Sequence, residues 1–352
     1  MASVIPVTHV DVRRLPDPTA EQPAFGTTFS DHMLVARFGE SAWADVEIRP
    51  YGPLSMPPSI NALQYGLAVF EGLKAFRTVS DEVVLFRPWE NYQRLRRSCR
   101  RLVLPEVPEE IFVDGLRQLV RLDSEWVPGP DAGSLYIRPC LFATDENIRV
   151  KPAESCLFVI FTCPVGGYFA EPLRLVTTNR YVRAFPGGTG DVKPAGNYAA
   201  AMLADQEAQA DGYHAVLWLD AKEHRYVEEC GVMNVFFVID GHVVTPSLGG
   251  TILAGVTRDS VITLIRDMDV PVEERPITIS EVVDAHVART LTECFGTGTA
   301  ATIAHVSRIT HGDVELNLPS VEARPIAAAA LERLSHLRSG RTDDPYGWLV
   351  PV

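Results

Sequence analysis

Lysine is scarce in this 352-residue sequence: of 32 basic residues only four, Lys74, Lys151, Lys193 and Lys222, are lysine. There is no C-x-x-C pair and no H-E-x-x-H, and the nine histidines stand without ligand spacing, so no metal site is expected. The six cysteines are dispersed, mostly in apolar runs such as SCLFVIFTC, and imply no disulfide framework. A basic excess is also missing. The net charge of −13 removes the main driving force for binding a phosphate backbone, which argues against nucleic acid and anionic membranes as partners. No run of eighteen apolar residues occurs, and residues 1–15 are broken by His9, Asp11, Arg13 and Arg14. Neither a membrane span nor an apolar leader is therefore expected, and a cytoplasmic location is. G-x-x-x-x-G-K-[ST] and a helix-opening G-x-G-x-x-G are lacking too, which leaves dinucleotide and triphosphate sites without their motif.

With 46% hydrophobic and 22% charged residues, the composition is that of a globular chain long enough for about two domains. Strands are predicted at 33–39, 44–49 and 82–87, and helices over 88–103 and 108–122. The first of these helices opens at Pro88, and most of its arginines should face water. SLYIRPCLF and SCLFVIFTCPV read as buried strands. The connector PVGGYFAEP, with two prolines and two glycines, separates a small N-terminal domain (1–163) from a large C-terminal one (173–352), with 164–172 as an interdomain loop. A strand at 173–178, a Gly-rich loop at 186–190 and an Ala-rich helix over 197–210, stopped by Gly212, follow. Strands at 215–220, 225–230 and 232–240 lead into a tight turn at Asp240-Gly241. Beyond it come a helix over 257–268, a Ser280-capped helix, strands at 290–295 and 301–309, and a last helix over 321–337. The fold class is α+β.

Each lysine can be weighed singly. Lys222 lies in the polar turn AKEHR, Lys151 precedes Pro152, and Lys74 follows Gly72 in FEGLKAF; all three read as solvated surface residues. Lys193 is the lone cation between the Gly-rich loop FPGGTGD and an alanine-rich helix, where burial would lower the amine pKa and raise its reactivity toward an aldehyde. A solvated lysine is the alternative there. Glu228 and Glu229 are neighbours in RYVEECG, and alternation along a strand would turn one carboxylate inward and leave the other wet, unless both form an exposed acidic pair. LAGVTRDS and FGTGTAA could each hold a phosphate through free backbone N–H groups, aided by the hydroxyls of Thr257 and Thr299.

Together these segments resemble the branched-chain amino-acid aminotransferases, pyridoxal-phosphate enzymes of fold type IV. The resemblance runs through FGTTFSDHM, NALQYGLAVFEGLKAF, LFRPWENYQRLRRS, LYIRPCLFAT, CPVGGYF, GDVKPAGNYAAAMLADQEA, VEECGVMNVFFV, ILAGVTRDS and FGTGTAATIAHV, in family order. It implies two α/β-containing domains and pyridoxal 5'-phosphate held as a Schiff base on Lys193, the catalytic residue, which also shuttles the proton. Glu229 is implied to pair with the pyridine nitrogen and Tyr198 to contact the 3-oxygen. Arg94, the amides of Val256 and Thr257, and Thr299 are implied to hold the phosphate. Tyr65, Phe70, Tyr136, Arg138 and Tyr168 would line the substrate pocket, with Ala300 offering its N–H to the substrate carboxylate. The implied reaction is transamination of branched-chain L-amino acids with 2-oxoglutarate, in a homodimer whose neighbouring subunit completes the pocket.

Departures from the family pattern occur at Pro194 and Ala195 after the lysine, at Ala254 before the phosphate helix and at Val232 near the cofactor. Ala301 and Ala304 occupy the place of a redox C-x-x-C in mitochondrial relatives, so thiol regulation there is not expected. A biosynthetic aminotransferase for an unusual aliphatic amino acid is the alternative these changes raise. D-amino-acid aminotransferases and aminodeoxychorismate lyases share fold and cofactor but lack the FEGLKAF and LYIRP context. A non-catalytic cofactor-binding relative is the alternative of a different class, and Lys193, Glu229, Tyr198 and Arg94 together speak against it.

Overall fold

A computed structural model gives the fold and describes residues 5–15, 25–166 and 171–352. The chain divides into two compact units: Met1–Tyr168 with Lys193–Ala195 and His336–Val352, and Phe169–Val192 with Gly196–Ser335.

The first unit is built on an antiparallel sheet. In chain order it contains β1 (His32–Gly39), β2 (Ala42–Pro50), α1 (Asn61–Tyr65), β3 (Ala68–Phe70), β4 (Leu73–Arg77), β5 (Val83–Phe86), α2 (Pro88–Leu102), α3 (Gly115–Leu122), β6 (Ser134–Ala143) and β7 (Cys156–Val165). A π-helical stretch, Glu110–Asp114, leads into α3, so the helix expected over 108–122 is α-helical only in its second half. One face of the sheet, carrying Leu73, Ala75, Leu135, Ile137, Phe158 and Ile160, packs in one apolar core with Tyr92, Leu95, Cys99, Phe112, Leu116 and Leu119 from the helical segments. Burial of that face stabilises the unit by about 25 cal/mol per Å² of apolar surface removed from water. Because side chains alternate across a strand, the opposite face is set by the same residues: it bears Lys74, Tyr136, Arg138 and Cys163.

In the second unit the chain continues through β8 (Leu173–Thr177), α4 (Ala195–Ala210), β9 (Ala215–Leu219), β10 (Val227–Cys230), β11 (Met233–Ile239), β12 (His242–Thr245), α5 (Val256–Arg266), β13 (Val272–Glu274), α6 (Ile279–Val287), β14 (Leu291–Gly298), β15 (Thr302–His311), β16 (Val314–Asn317) and α7 (Pro325–Arg338). The strands follow the order β10-β9-β8-β15-β14-β11-β12-β13, and β10 also pairs with β11, which closes the sheet on itself. Asp240 and Gly241 both adopt positive φ, as the tight turn between β11 and β12 requires. Thr278, not Ser280, caps α6, its side chain accepting from the Glu281 amide; Ser280 lies inside the helix. The helix expected over 321–337 breaks at Arg324, whose φ of −114° and ψ of 81° leave the α region because a proline follows. β17 (Leu349–Pro351) pairs with β5, so the C-terminal segment that the sequence placed with the large domain belongs to the first unit. Among the described residues no helix is long and apolar enough to cross a membrane.

Candidate active site

In the first unit the residues around Lys193 are fixed by backbone pairing. Its N–H donates to Ser98 Oγ at 3.0 Å, its carbonyl accepts from the Phe70 amide at 3.1 Å, and Pro194 bridges to Val69. Pro194 lacks an N–H, so a segment held mainly through the carbonyl of the preceding lysine tolerates it. The side chain then carries Nζ to 4.3 Å from the centroid of the Phe70 ring. Arg138 lies 4.7 Å from the centroid of the same ring and donates from Nη2 to the Tyr136 phenol at 3.1 Å. Burial pushes the Tyr136 phenol above its ordinary value against the opposing charge of Arg138. A Cβ on Gly72 would lie 2.1 Å from that phenol oxygen, so only glycine fits between β3 and β4 there.

Glu71, fully buried, anchors this group. It accepts from Arg94 Nε at 2.7 Å and Nη2 at 2.8 Å, from Asn91 Nδ2 at 2.8 Å and from the Gly72 amide at 3.1 Å. Burial alone would raise its pKa, but the charges of Arg94 and Lys193 and the Asn91 bond hold it below the usual value. Arg94 is thus the buried exception on α2, where Arg97, Arg100 and Arg101 face water as expected. Tyr65 ends α1 in an exposed position, and its phenol donates to the Ile148 carbonyl. Tyr168 lies outside the described residues. Lys74 departs from its reading as a surface lysine: it is 7% exposed on the covered face of β4, where burial and the charge of Arg338 lower its pKa to about 7.

The second unit holds a pocket lined by Glu229, Tyr198, Arg183, Val192, Val232 and Leu253, among others. Val192 is the residue that precedes Lys193 in the chain. Glu229 and Asn234 are register partners on β10 and β11. Glu229 Oε1 accepts from the Leu253 amide at 2.8 Å, and Asn234 Nδ2 donates to the Leu253 carbonyl at 2.9 Å. The five-residue spacing of the motif therefore has a geometric reason: both side chains grip one turn, the one that enters α5. Glu228 does not stay wet, being 6% exposed against 4% for Glu229. Both edges of β10 are paired and all four of its residues are buried, so strand alternation gives it no solvated side.

Val256 and Thr257 open α5 after Gly255, and no side chain caps that end, so the first-turn amides and the positive end of the helix are directed at whatever anion approaches. Thr299 and Ala300 lie in the turn between β14 and β15. The donor set of the second unit suits pyridoxal phosphate: a buried carboxylate for the ring nitrogen, a phenol lining the same pocket, and an uncapped helix start for the phosphate. No group of three or more His, Cys, Asp or Glu side chains among the described residues could hold a metal ion.

Glu71, Asn91 and Arg183 escaped the sequence reading. Glu71 and Arg183 stand in segments with apolar neighbours, AVFEGLKAF and RYVRAF, where a charge is a sign of burial with a partner, whereas Asn91 in PWENYQRL carries no such signal. For Arg183 that sign is diluted among the many arginines of the chain.

A family profile described as amino-transferase class IV matches residues 68–309, more than half of the chain. The branched-chain-amino-acid transaminase 1 of Bacillus subtilis is 44% identical over 343 residues, covering 96% of each chain. The branched-chain-amino-acid aminotransferase 2 of the same organism is 42% identical over 341 residues, covering 96% of this chain and 94% of that one. Among solved structures, the T.th. branched-chain amino acid aminotransferase complexed with N-(5'-phosphopyridoxyl)-L-glutamate superposes with a TM-score of 0.70 at 27% identity, covering 90% of this chain and 97% of that one. With its motifs in order and these matches spanning nearly its whole length, the chain belongs to the class IV aminotransferases, in the branched-chain amino-acid aminotransferase family.

Proposed function

We propose that this protein exchanges an α-amino group between branched-chain aliphatic L-amino acids and 2-oxoglutarate, using pyridoxal 5'-phosphate carried on Lys193. The observation that supports it most directly is the pair of contacts on Phe70, whose ring has the Lys193 amine at 4.3 Å and the Arg138 guanidinium at 4.7 Å. A reactive amine, an apolar wall and a cation meet there, which is what an amino acid with an aliphatic side chain and a carboxylate needs.

When bound, pyridoxal phosphate supplies an electrophilic carbon and a ring able to take up the electron pair released at the substrate α-carbon. The chain's own residues do the rest. Lys193 Nζ would carry the cofactor and move the proton at the α-carbon, while Glu71, held ionised by Arg94, Asn91 and the charge of Lys193, anchors the group around it. Glu229 would pair with the ring nitrogen and keep it protonated, and Tyr198 would contact the 3-oxygen. Arg94, held in place by Glu71, and the amides of Val256 and Thr257 bind the phosphate together with Thr299. Phe70, Tyr136 and Arg138 shape the substrate side, with Tyr65, Tyr168 and Ala300 as further contributors. We assign the protein to the cytoplasm as a homodimer. Exposed Leu63, Tyr65, Ile148 and Val150 in the first unit are compatible with a partner chain.

The test is a panel of amino acids at fixed 2-oxoglutarate, with glutamate release as the readout. Leucine, isoleucine and valine should be the fastest donors. Turnover confined to D-amino acids, or none in cofactor-loaded protein, would overturn the reading.

A further inference from the structure

Glu228 and Glu229 are neighbours on one buried strand, and burial pushes the Glu228 carboxyl above its ordinary value despite the charge of Arg183. A carboxylate as buried as Glu229 faces the same desolvation cost and needs a cation to stay ionised before any ligand arrives. Arg183 is that cation. Its Nε lies 3.4 Å from Glu229 Oε2, with side-chain exposures of 8% and 5%. The contact is a charge pair, since Arg183 Nε is buried without a hydrogen-bond acceptor among the described residues. The guanidinium is tethered from behind, where Nη2 donates to the Thr251 carbonyl. The loop that carries it cannot drift: a Cβ on Gly190 would lie 2.4 Å from the Thr251 carbonyl oxygen and 2.5 Å from the Ala184 Cβ, so these segments are in backbone contact. Glu229 is thereby held through both oxygens, Oε1 by the Leu253 amide and Oε2 by Arg183, and both acid and guanidinium line the pocket.

We infer that Arg183 is a positioning residue that keeps Glu229 ionised and aimed into the pocket, so that the chain offers a ready-made anion to the ring nitrogen of its cofactor. The inference rests on the reading of Glu229 as the ring-nitrogen partner. Glu228, which also faces Arg183 and is bonded to the Thr251 side chain, is the second acid in the cluster, and Asp220 adds a further negative charge felt at Glu228.

The experiment uses the holoenzyme and reads cofactor dissociation by equilibrium dialysis from pH 6 to 9, together with the visible absorbance of the bound cofactor. Arg183→Gln, Glu229→Gln and the double variant are compared with the wild type, with Arg183→Lys as the charge-conserving control and far-UV circular dichroism to check folding. Loss of the charge in Arg183→Gln should weaken cofactor retention roughly tenfold, with retention falling further as pH drops, because an unsupported Glu229 takes up a proton more readily. The double variant should be no weaker than Glu229→Gln alone, and Arg183→Lys should restore the wild-type pH profile even if Arg183→Gln folds poorly. If Glu229→Gln weakens retention but Arg183→Gln leaves both affinity and pH profile unchanged, or the two losses multiply, the inference is wrong and the role of Glu229 stands. If Glu229→Gln itself changes nothing, the underlying reading fails.

Discussion

Glu71 and Lys74 stand three positions apart in FEGLKAF, and burial acts on them in opposite senses. Glu71 keeps its charge because burial is outweighed by Arg94, Lys193 and Asn91. Lys74 lies on the face where it feels another cation, Arg338, which packs against the rings of Phe76 and Phe86 at 5.1 and 4.2 Å. Burial first and Arg338 second lower its pKa from 10.5 to about 7, opposed by Cys163. A lysine so depressed binds fewer protons folded than unfolded between those two values, so stability should rise with pH across that window, and the full cost of the buried charge should be present below it. Replacing Lys74 by Met should remove a slope of up to about 1.4 kcal/mol per pH unit. Urea melts of both proteins between pH 7 and 10 check this, and an unchanged slope would mean that Lys74 keeps its proton when folded.

At the scale of the element, the start of α5 rests on contacts that its sequence, LAGVTRDS, only partly announces. The Gly-then-helix pattern was legible as a helix start. What could not be read was why position 255 must be glycine: φ is an ordinary −70°, so the constraint is steric. A Cβ there would lie 2.1 Å from Asn234 Oδ1, on the side chain that grips the Leu253 carbonyl. Gly255→Ala should therefore push Asn234 off its partner, costing about 1–3 kcal/mol of stability. It should also loosen inorganic phosphate binding to the apoprotein, measured by thermal shift and isothermal titration. A variant with wild-type melting and phosphate affinity would show that the turn relaxes freely. The same contrast between pattern and contact explains the burial of Glu228: alternation along β10 is visible in the sequence, but closure of the sheet through β11 leaves no wet face for it.

Over the whole molecule, the long apolar runs of β6 and β7 and the Ala-rich α4 were legible because each is specified by its own local composition. The short strands β3 and β17 were not, since they are specified by partners distant in the chain. Leu349 to Pro351 finds its place only against Val84 to Phe86, and the Lys193 carbonyl only against the Phe70 amide. Local pattern therefore located the lysine between a Gly-rich loop and a helix without saying what it touches, and the ordered motifs supplied its chemistry. With four lysines in the chain, that assignment can be checked outright. Reduction of the cofactor-loaded protein with borohydride, followed by peptide mass mapping, should place one phosphopyridoxyl group per chain on Lys193, and Lys193→Ala should lose both the adduct and the absorption near roughly 400–430 nm. An adduct on Lys74, Lys151 or Lys222, or a loaded wild-type chain with none, would contradict the account.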